Sequence, residues 1–182
     1  MILIIQIIKN KILYFSSPLW IFIKAVVILV AAVAGVVYFA AVPWIARRVL
    51  QHVPIYEAAY LPWLIYVLAS CIPVYWALAE AWTIFTRIGL DRSFCQENAR
   101  AMRIVAILAA IEAGYMLLGF AGLEIWAAAD AHLAMLLSYH PGFYLIFLFL
   151  AFLAAMVSAA CGALSMLIRK ASRLQEENDL TI

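Results

Sequence analysis

The chain has 182 residues, of which 69% are hydrophobic and only 12% charged, with a mean hydropathy of +1.07. A soluble domain is about half apolar and about a quarter charged, so a water-soluble fold would expose most of the excess. Lipid is the consistent solvent. The net charge of +2 decides little; the placement of the charges decides more. With no polar linker, one domain is expected.

The opening residues, 1–18, carry Lys9 and Lys11 after an apolar run too short to span, and no small-residue cleavage site follows. This order is the reverse of a signal peptide, and the segment reads as a short interfacial helix ended by Ser16, Ser17 and Pro18. Residues 19–168 then hold four stretches that meet the requirement of about 20 apolar residues for a crossing helix. They run over about 20–42, 61–85, 104–126 and 143–168. Lys24 lies near the start of the first, Glu80 near the end of the second, and Glu112 and Glu124 within the third. The fourth carries no charge and continues as a solvated helix into the tail, 169–182.

Between the first two spans, residues 43–54 mix apolar and polar side chains at helical spacing, which predicts a short amphipathic helix on the membrane surface, ended near Pro54. Residues 127–141 are Ala-rich and expected to be helical. Pro73 should kink the second span, because it removes an N–H and frees a carbonyl that a neighbour must satisfy. In the loop before the third span, Ser93 with Gln96 three residues later has the form of a capping box. The fold class expected is therefore all-α: an integral membrane four-helix bundle with short interfacial helices.

Lysine and arginine set the orientation. Lys9, Lys11, Lys24, Arg87, Arg92, Arg100, Arg103, Arg169, Lys170 and Arg173 fall on one side, against Arg47 and Arg48 on the other. Ten against two places both termini and the middle loop in the cytoplasm. Trp20 and Trp82 fall near the inner boundary and Trp44, Trp63 and Trp126 near the outer one. Trp76 fits neither belt and reads as a packing residue.

Helix association in lipid depends on close approach of small residues. Ala106, Ala110 and Gly114 recur at four-residue steps in the third span, and Ala151, Ala155, Ala159 and Ala163 in the fourth, with Ser158 and Gly162 beside them. Internal packing is the favoured use of these stripes, and a homodimer the alternative.

Glu112 is the most informative residue. An ionised carboxylate at that depth costs about 2.5 kcal/mol or more, so it must be protonated, paired or wet. One reading is a proton or cation site; the other is a neutral acid hydrogen-bonded to a neighbouring helix. Lys24 and Glu80 lie at similar depth, where they either form an ion pair or leave Lys24 to reach the headgroups independently. The three histidines, His52, His132 and His140, lack metal-ligand spacing on one helix. Cys71, Cys95 and Cys161 form no CxxC pair. No GxSxG, HExxH, P-loop or glycine-rich nucleotide turn is present. No enzyme activity, metal or cofactor is expected; a haem or quinone protein is the weakest reading.

The cytoplasmic segments offer the best surface for a partner: Arg87, Arg92, Arg100 and Arg103 in the middle loop, which otherwise serve as anchors to anionic lipid, and Glu176, Glu177 and Asp179 in the tail.

These segments also carry a resemblance. Tyr60-Leu61-Pro62, the loop Gly89-Leu-Asp-Arg-Ser-Phe-Cys-Gln-Glu-Asn98 and the ending Glu177-Asn-Asp-Leu-Thr-Ile182 resemble the bacterial membrane proteins grouped as domain of unknown function 2975, over roughly residues 20–182. Cys95 stands where the family has Ser. The resemblance implies a small multispan protein with no assigned reaction, often encoded beside a small Cro-like helix-turn-helix regulator. On that analogy the chain holds or inhibits such a transcription factor at the membrane, without touching nucleic acid itself. A small proton-coupled exporter using Glu112 is the alternative, although dual insertion of the small-exporter kind needs a more even lysine and arginine balance.

Overall fold

The computed structural model describes residues 21–52, 57–90, 94–139 and 142–179. The segment 1–18, Pro54, Arg92, Ser93 and His140 lie outside them. Helix α1 covers residues 21–36, passes through a π-helical segment Val37–Ala41 and continues as α2, Val42–His52. Then follow α3, Glu57–Ala69, and α4, Cys71–Ile88. The remaining helices are α5, Gln96–Ala129, α6, Ala131–Tyr139, and α7, Gly142–Asp179. No strand occurs among the described residues.

Four stretches are long and apolar enough to cross a membrane: Ile21–Gln51, Tyr60–Ile88, Gln96–Ala129 and Tyr144–Leu174. Their outward faces are hydrocarbon, with Leu118 69% and Ile125 73% exposed, an arrangement that only lipid tolerates on this scale. The chain is an all-α, multi-pass membrane protein. At 38 residues, α7 is about 57 Å long, against a hydrocarbon core of about 30 Å. Its C-terminal turns, carrying Arg169, Lys170 and Arg173, therefore stand clear of the lipid tails.

Two prolines shape the ladder of backbone hydrogen bonds. At Pro43 the helix does not stop. The Val42 N–H bonds the carbonyl of Val37, five residues back, and the wider turn takes up the proline ring that follows. Residues 43–52 are thus helical and amphipathic, as their composition predicts, but continuous with the first span's helix and not set apart from it.

At Pro73 the expected kink becomes an interruption, and it falls at Ser70, which is a turn between α3 and α4. Pro73 cannot donate to the carbonyl of Ala69, and its ring presses on that group, so the ladder opens one turn before the proline.

Helix α5 is the axis of the bundle. Ala99, Met102, Ala106, Ala109, Ala113 and Met116 recur at alternating steps of three and four, and all are buried or half-buried. This is the seam of a left-handed helix pair. It meets an equivalent seam on α7, where Ala151, Ala154, Ser158, Cys161, Ser165 and Ile168 follow the same alternation and are likewise buried or half-buried. Ser158 Oγ donates to the carbonyl of Ala106 (2.8 Å) and Ser165 Oγ to that of Ala99 (2.6 Å). Seven residues forward on one helix match seven back on the other, so the two are antiparallel. Deeper in, Met116, Phe147 and Ala151 form a buried cluster.

A second seam on α5 is offset from the first by one residue. It runs through Asn98, Ala101, Val105, Leu108, Glu112 and Tyr115, all buried or half-buried; Glu112 meets Ser70, and Tyr115 stacks on Tyr66 of α3.

The four-residue stripes do not coincide with these seams. Ala106 and Ala151 are buried, but Ala110, Gly114, Ala155, Ala159 and Ala163 are exposed. A step of four overshoots one helical turn, and successive members drift around the helix toward lipid.

The capping expectation also shifts. The N-cap position of α5 is Cys95, in extended conformation and without a side-chain cap, and its carbonyl accepts from the Asn98 N–H (3.1 Å). At the other end Asp130 caps α6, its Oδ1 accepting from the N–H groups of His132 (2.9 Å) and Leu133 (3.3 Å).

The glycines of α5 separate packing from lipid exposure. A Cβ at Gly119 would lie 2.7 Å from Tyr66 Oη and 2.8 Å from Phe147 Cε1, whereas one at Gly114 would meet nothing within 4 Å. Gly119→Ala is expected to lower stability in detergent by about 1–3 kcal/mol, and Gly114→Ala to leave it unchanged or raised, as read from thermal unfolding of the purified variants.

Candidate functional site: a buried carboxylate between two helix discontinuities

The three perturbed places of the bundle converge. The π-helical segment presents Tyr38, the interruption of the second span presents Ser70, and the inner seam of α5 presents Glu112. Ser70 is 2% exposed and Glu112 9%. Glu112 lies at the middle of α5 by sequence, so neither end of the helix offers it an easy route to water.

Ser70 holds these elements together. Its hydroxyl lies 2.9 Å from Tyr38 Oη and 2.9 Å from the carbonyl of Val67, and it lies beside the Glu112 carboxylate. One hydroxyl has one proton, so it cannot donate to all three. The Tyr38 O–H is a second donor beside it. Glu112 Oε2 has no hydrogen-bond partner among the described residues.

Tyrosines brace the surroundings. Tyr66 Oη donates to the carbonyl of Tyr115, and Tyr115 Oη donates to that of Tyr66 (2.7 Å). The two rings stack with centroids 4.3 Å apart and planes 10° from parallel. This reciprocal pair fixes α3 to α5 just beyond Glu112. Tyr75 Oη, on α4, donates to the carbonyl of Ala31 (3.0 Å) and ties α4 to α1. A Cβ on Gly35 would lie 2.9 Å from that same hydroxyl, so the glycine permits the approach.

The other candidate residues are dispersed. Lys24 and Glu80 do not meet: the Lys24 ammonium lies over the Trp82 ring, 4.7 Å from its centroid, and Glu80 Oε1 accepts from the Trp76 indole N–H (3.4 Å). Trp76 is 55% exposed; it faces lipid and is not the packing residue its mid-span position suggests. Arg87 Nη1 donates to the carbonyl of Glu97 (3.5 Å), across the turn joining α4 to α5.

Arg100 and Arg103 are exposed on the first turns of α5, and Glu177 is exposed near the end of α7. Glu176 and Asp179 share that last stretch of helix. Among the described residues no three His, Cys, Asp or Glu side chains are placed to hold a metal, and Cys71, Cys95 and Cys161 form no disulfide and are half-buried.

Glu112 was legible from its charge in an apolar run; Ser70 and Tyr38 were not. Their signal is the position of the prolines, because Ser70 precedes Pro73 by three residues and Tyr38 lies in the π turn before Pro43.

The tyrosine pair gives a direct test of the bracing. Interhelical hydrogen bonds in bilayers contribute about 0.6 kcal/mol on average and up to about 1.7. Tyr66→Phe and Tyr115→Phe are each expected to cost about 1 kcal/mol by that measure. The double variant should lose less than their sum, because each bond holds the geometry of the other; equal additivity in detergent unfolding would show two independent contacts.

No curated protein and no solved structure matches the chain. The sequence model of the family described as Protein of unknown function (DUF2975) matches residues 44–182. The match includes Ser70, Glu112, the basic loop and the tail, and begins later than the resemblance over roughly 20–182, leaving α1 and Tyr38 outside it. The chain belongs to the DUF2975 family.

Proposed function

We propose that the chain is a non-enzymatic regulator or anchor in the bacterial inner membrane, with both termini in the cytoplasm, and that its cytoplasmic end binds a small helix-turn-helix transcription factor. The observation that carries this reading is the antiparallel pairing of α5 with α7. It brings the exposed Arg100 and Arg103 to the same end of the bundle as the overhanging end of α7 with Arg169, Lys170, Arg173 and Glu177. The lysine and arginine bias argues that this end is cytoplasmic. Mixed charge on a rigid helical platform suits a charged protein partner, and the family's association with helix-turn-helix regulators names the class.

Affinity capture from native membranes tests the reading. Truncation after Lys170, or charge reversal at Arg100 and Arg103, should reduce recovery of the transcription factor by at least tenfold. Recovery that is indifferent to both would end the proposal. Reporter fusions within 87–103 and at the C-terminus should both report the cytoplasm.

A second reading is favoured by one specific observation, the buried carboxylate beside a π-helical segment and a helix turn. Transporters place coupling-ion sites at such discontinuities. A small proton-coupled exporter would lose its flux in Glu112→Gln, and flux that persisted in that variant would remove this reading.

A further inference from the structure

Among the described residues, the charge on Glu112 has no cationic counterpart. The groups facing it are the Tyr38 hydroxyl from the π segment, Ser70 at the interruption, Tyr66 from α3 and Tyr115 from α5 itself. Cys71 and Tyr75 of α4 are felt by Tyr38. On α7, residues 143–168 contain no acidic or basic side chain. Lys24, the basic residue of α1, is fourteen positions from Tyr38, about 21 Å along the helix, and lies over Trp82. Among the described residues, an ionised carboxylate this deep therefore meets no cationic side chain, and its Oε2 faces no donor.

The chemistry of the surroundings is that of a hard cation. The polar groups are a carboxylate, two hydroxyls and backbone carbonyls. The carbonyl of Ala69, next to Ser70 in the chain, has lost its helical donor to Pro73. Oxygen donors of this kind suit a small hard ion, and one negative charge balances one positive charge.

We infer that Glu112, Ser70 and Tyr38 form a binding site for a small monovalent cation, proton or sodium, seated where the π-helical segment of the first span faces the turn in the second. A proton binds as an O–H on the carboxylate; sodium binds to the carboxylate oxygens with the hydroxyls completing its shell. Either neutralises Glu112. In a regulator such an ion is the signal, and in an exporter it is the coupling ion, so the site stands independently of which reading holds.

The full-length protein in lipid nanodiscs, buffered with N-methyl-D-glucamine as the sole other cation, gives the test by infrared difference spectroscopy of the protonated-carboxyl stretch. In one arm the pH is raised without sodium; in the other, sodium is added at fixed pH. The wild type should lose the band in at least one arm, and the arm that responds identifies the ion. Glu112→Gln should lose that response.

A band unchanged in both arms would mark a permanently neutral acid and overturn the site, as would an identical response in Glu112→Gln. Should that variant fail to fold, Ser70→Ala decides: the midpoint moves by about 5- to 10-fold in cation concentration, the equivalent of one hydrogen bond, or it stays and the assignment is wrong. Neither a partner nor a transported solute enters this assay, so its failure is distinct from failure of the capture or flux experiments.

Discussion

In hydrocarbon a backbone carbonyl without a donor has no water to turn to, and each such group costs several kcal/mol. That constraint organises this bundle. Pro43 and Pro73 each withdraw one N–H from a crossing helix, and the chain answers differently at the two places. At Pro43 it inserts a π turn and keeps the helix continuous. At Pro73 it opens the helix at Ser70 and seals the region with side-chain hydroxyls. The polar groups of the candidate site gather where these repairs face each other.

The same economy holds across the bundle. The contacts that tie one helix to another repeatedly pair a hydroxyl with a main-chain carbonyl: Tyr66 with Tyr115 and the reverse, Tyr75 with Ala31, Ser158 with Ala106, Ser165 with Ala99. A carbonyl already in a helix has a second lone pair, so it accepts such a bond without loss of its helical one. Lipid gives helices no hydrophobic reason to associate, and these bonds, with the small residues along the two seams of α5, supply the adhesion. Lys24 rests on an aromatic face, an arrangement that preserves most of its solvation geometry while screening its stem from lipid.

Much of this was legible in the residues. Apolar runs of sufficient length located the four spans, and Glu112 announced itself by its depth. Register was harder. Alanine is common throughout α5 and α7, so a four-residue stripe and a three-four seam coexist in the same letters, and only the burial of Ser158 and Ser165 separates them. Helix continuity was harder still: a proline after an apolar run reads as an end, yet at Val42 the local cost was absorbed by one widened turn. Ser70 and Tyr38 were invisible for a related reason. Hydroxyls are unremarkable in a span until the backbone around them is known to be open. The lost Lys24–Glu80 pair has a simple cause, since each found an indole closer to hand.

The reciprocal tyrosine pair has a mechanical meaning. Two bonds of opposite sense between the same two residues, with stacked rings between them, resist both sliding and turning of α3 against α5. With α5 also locked to α7 by its other seam, the portion of the second span before Ser70 is tied by its tyrosine to that pair. The portion after it, α4, packs along α5 as well and is fastened by Tyr75 to α1. Helix α5 thus lies across both portions of the second span like a splint across a joint, with Ser70 at the joint and Glu112 on the splint beside it.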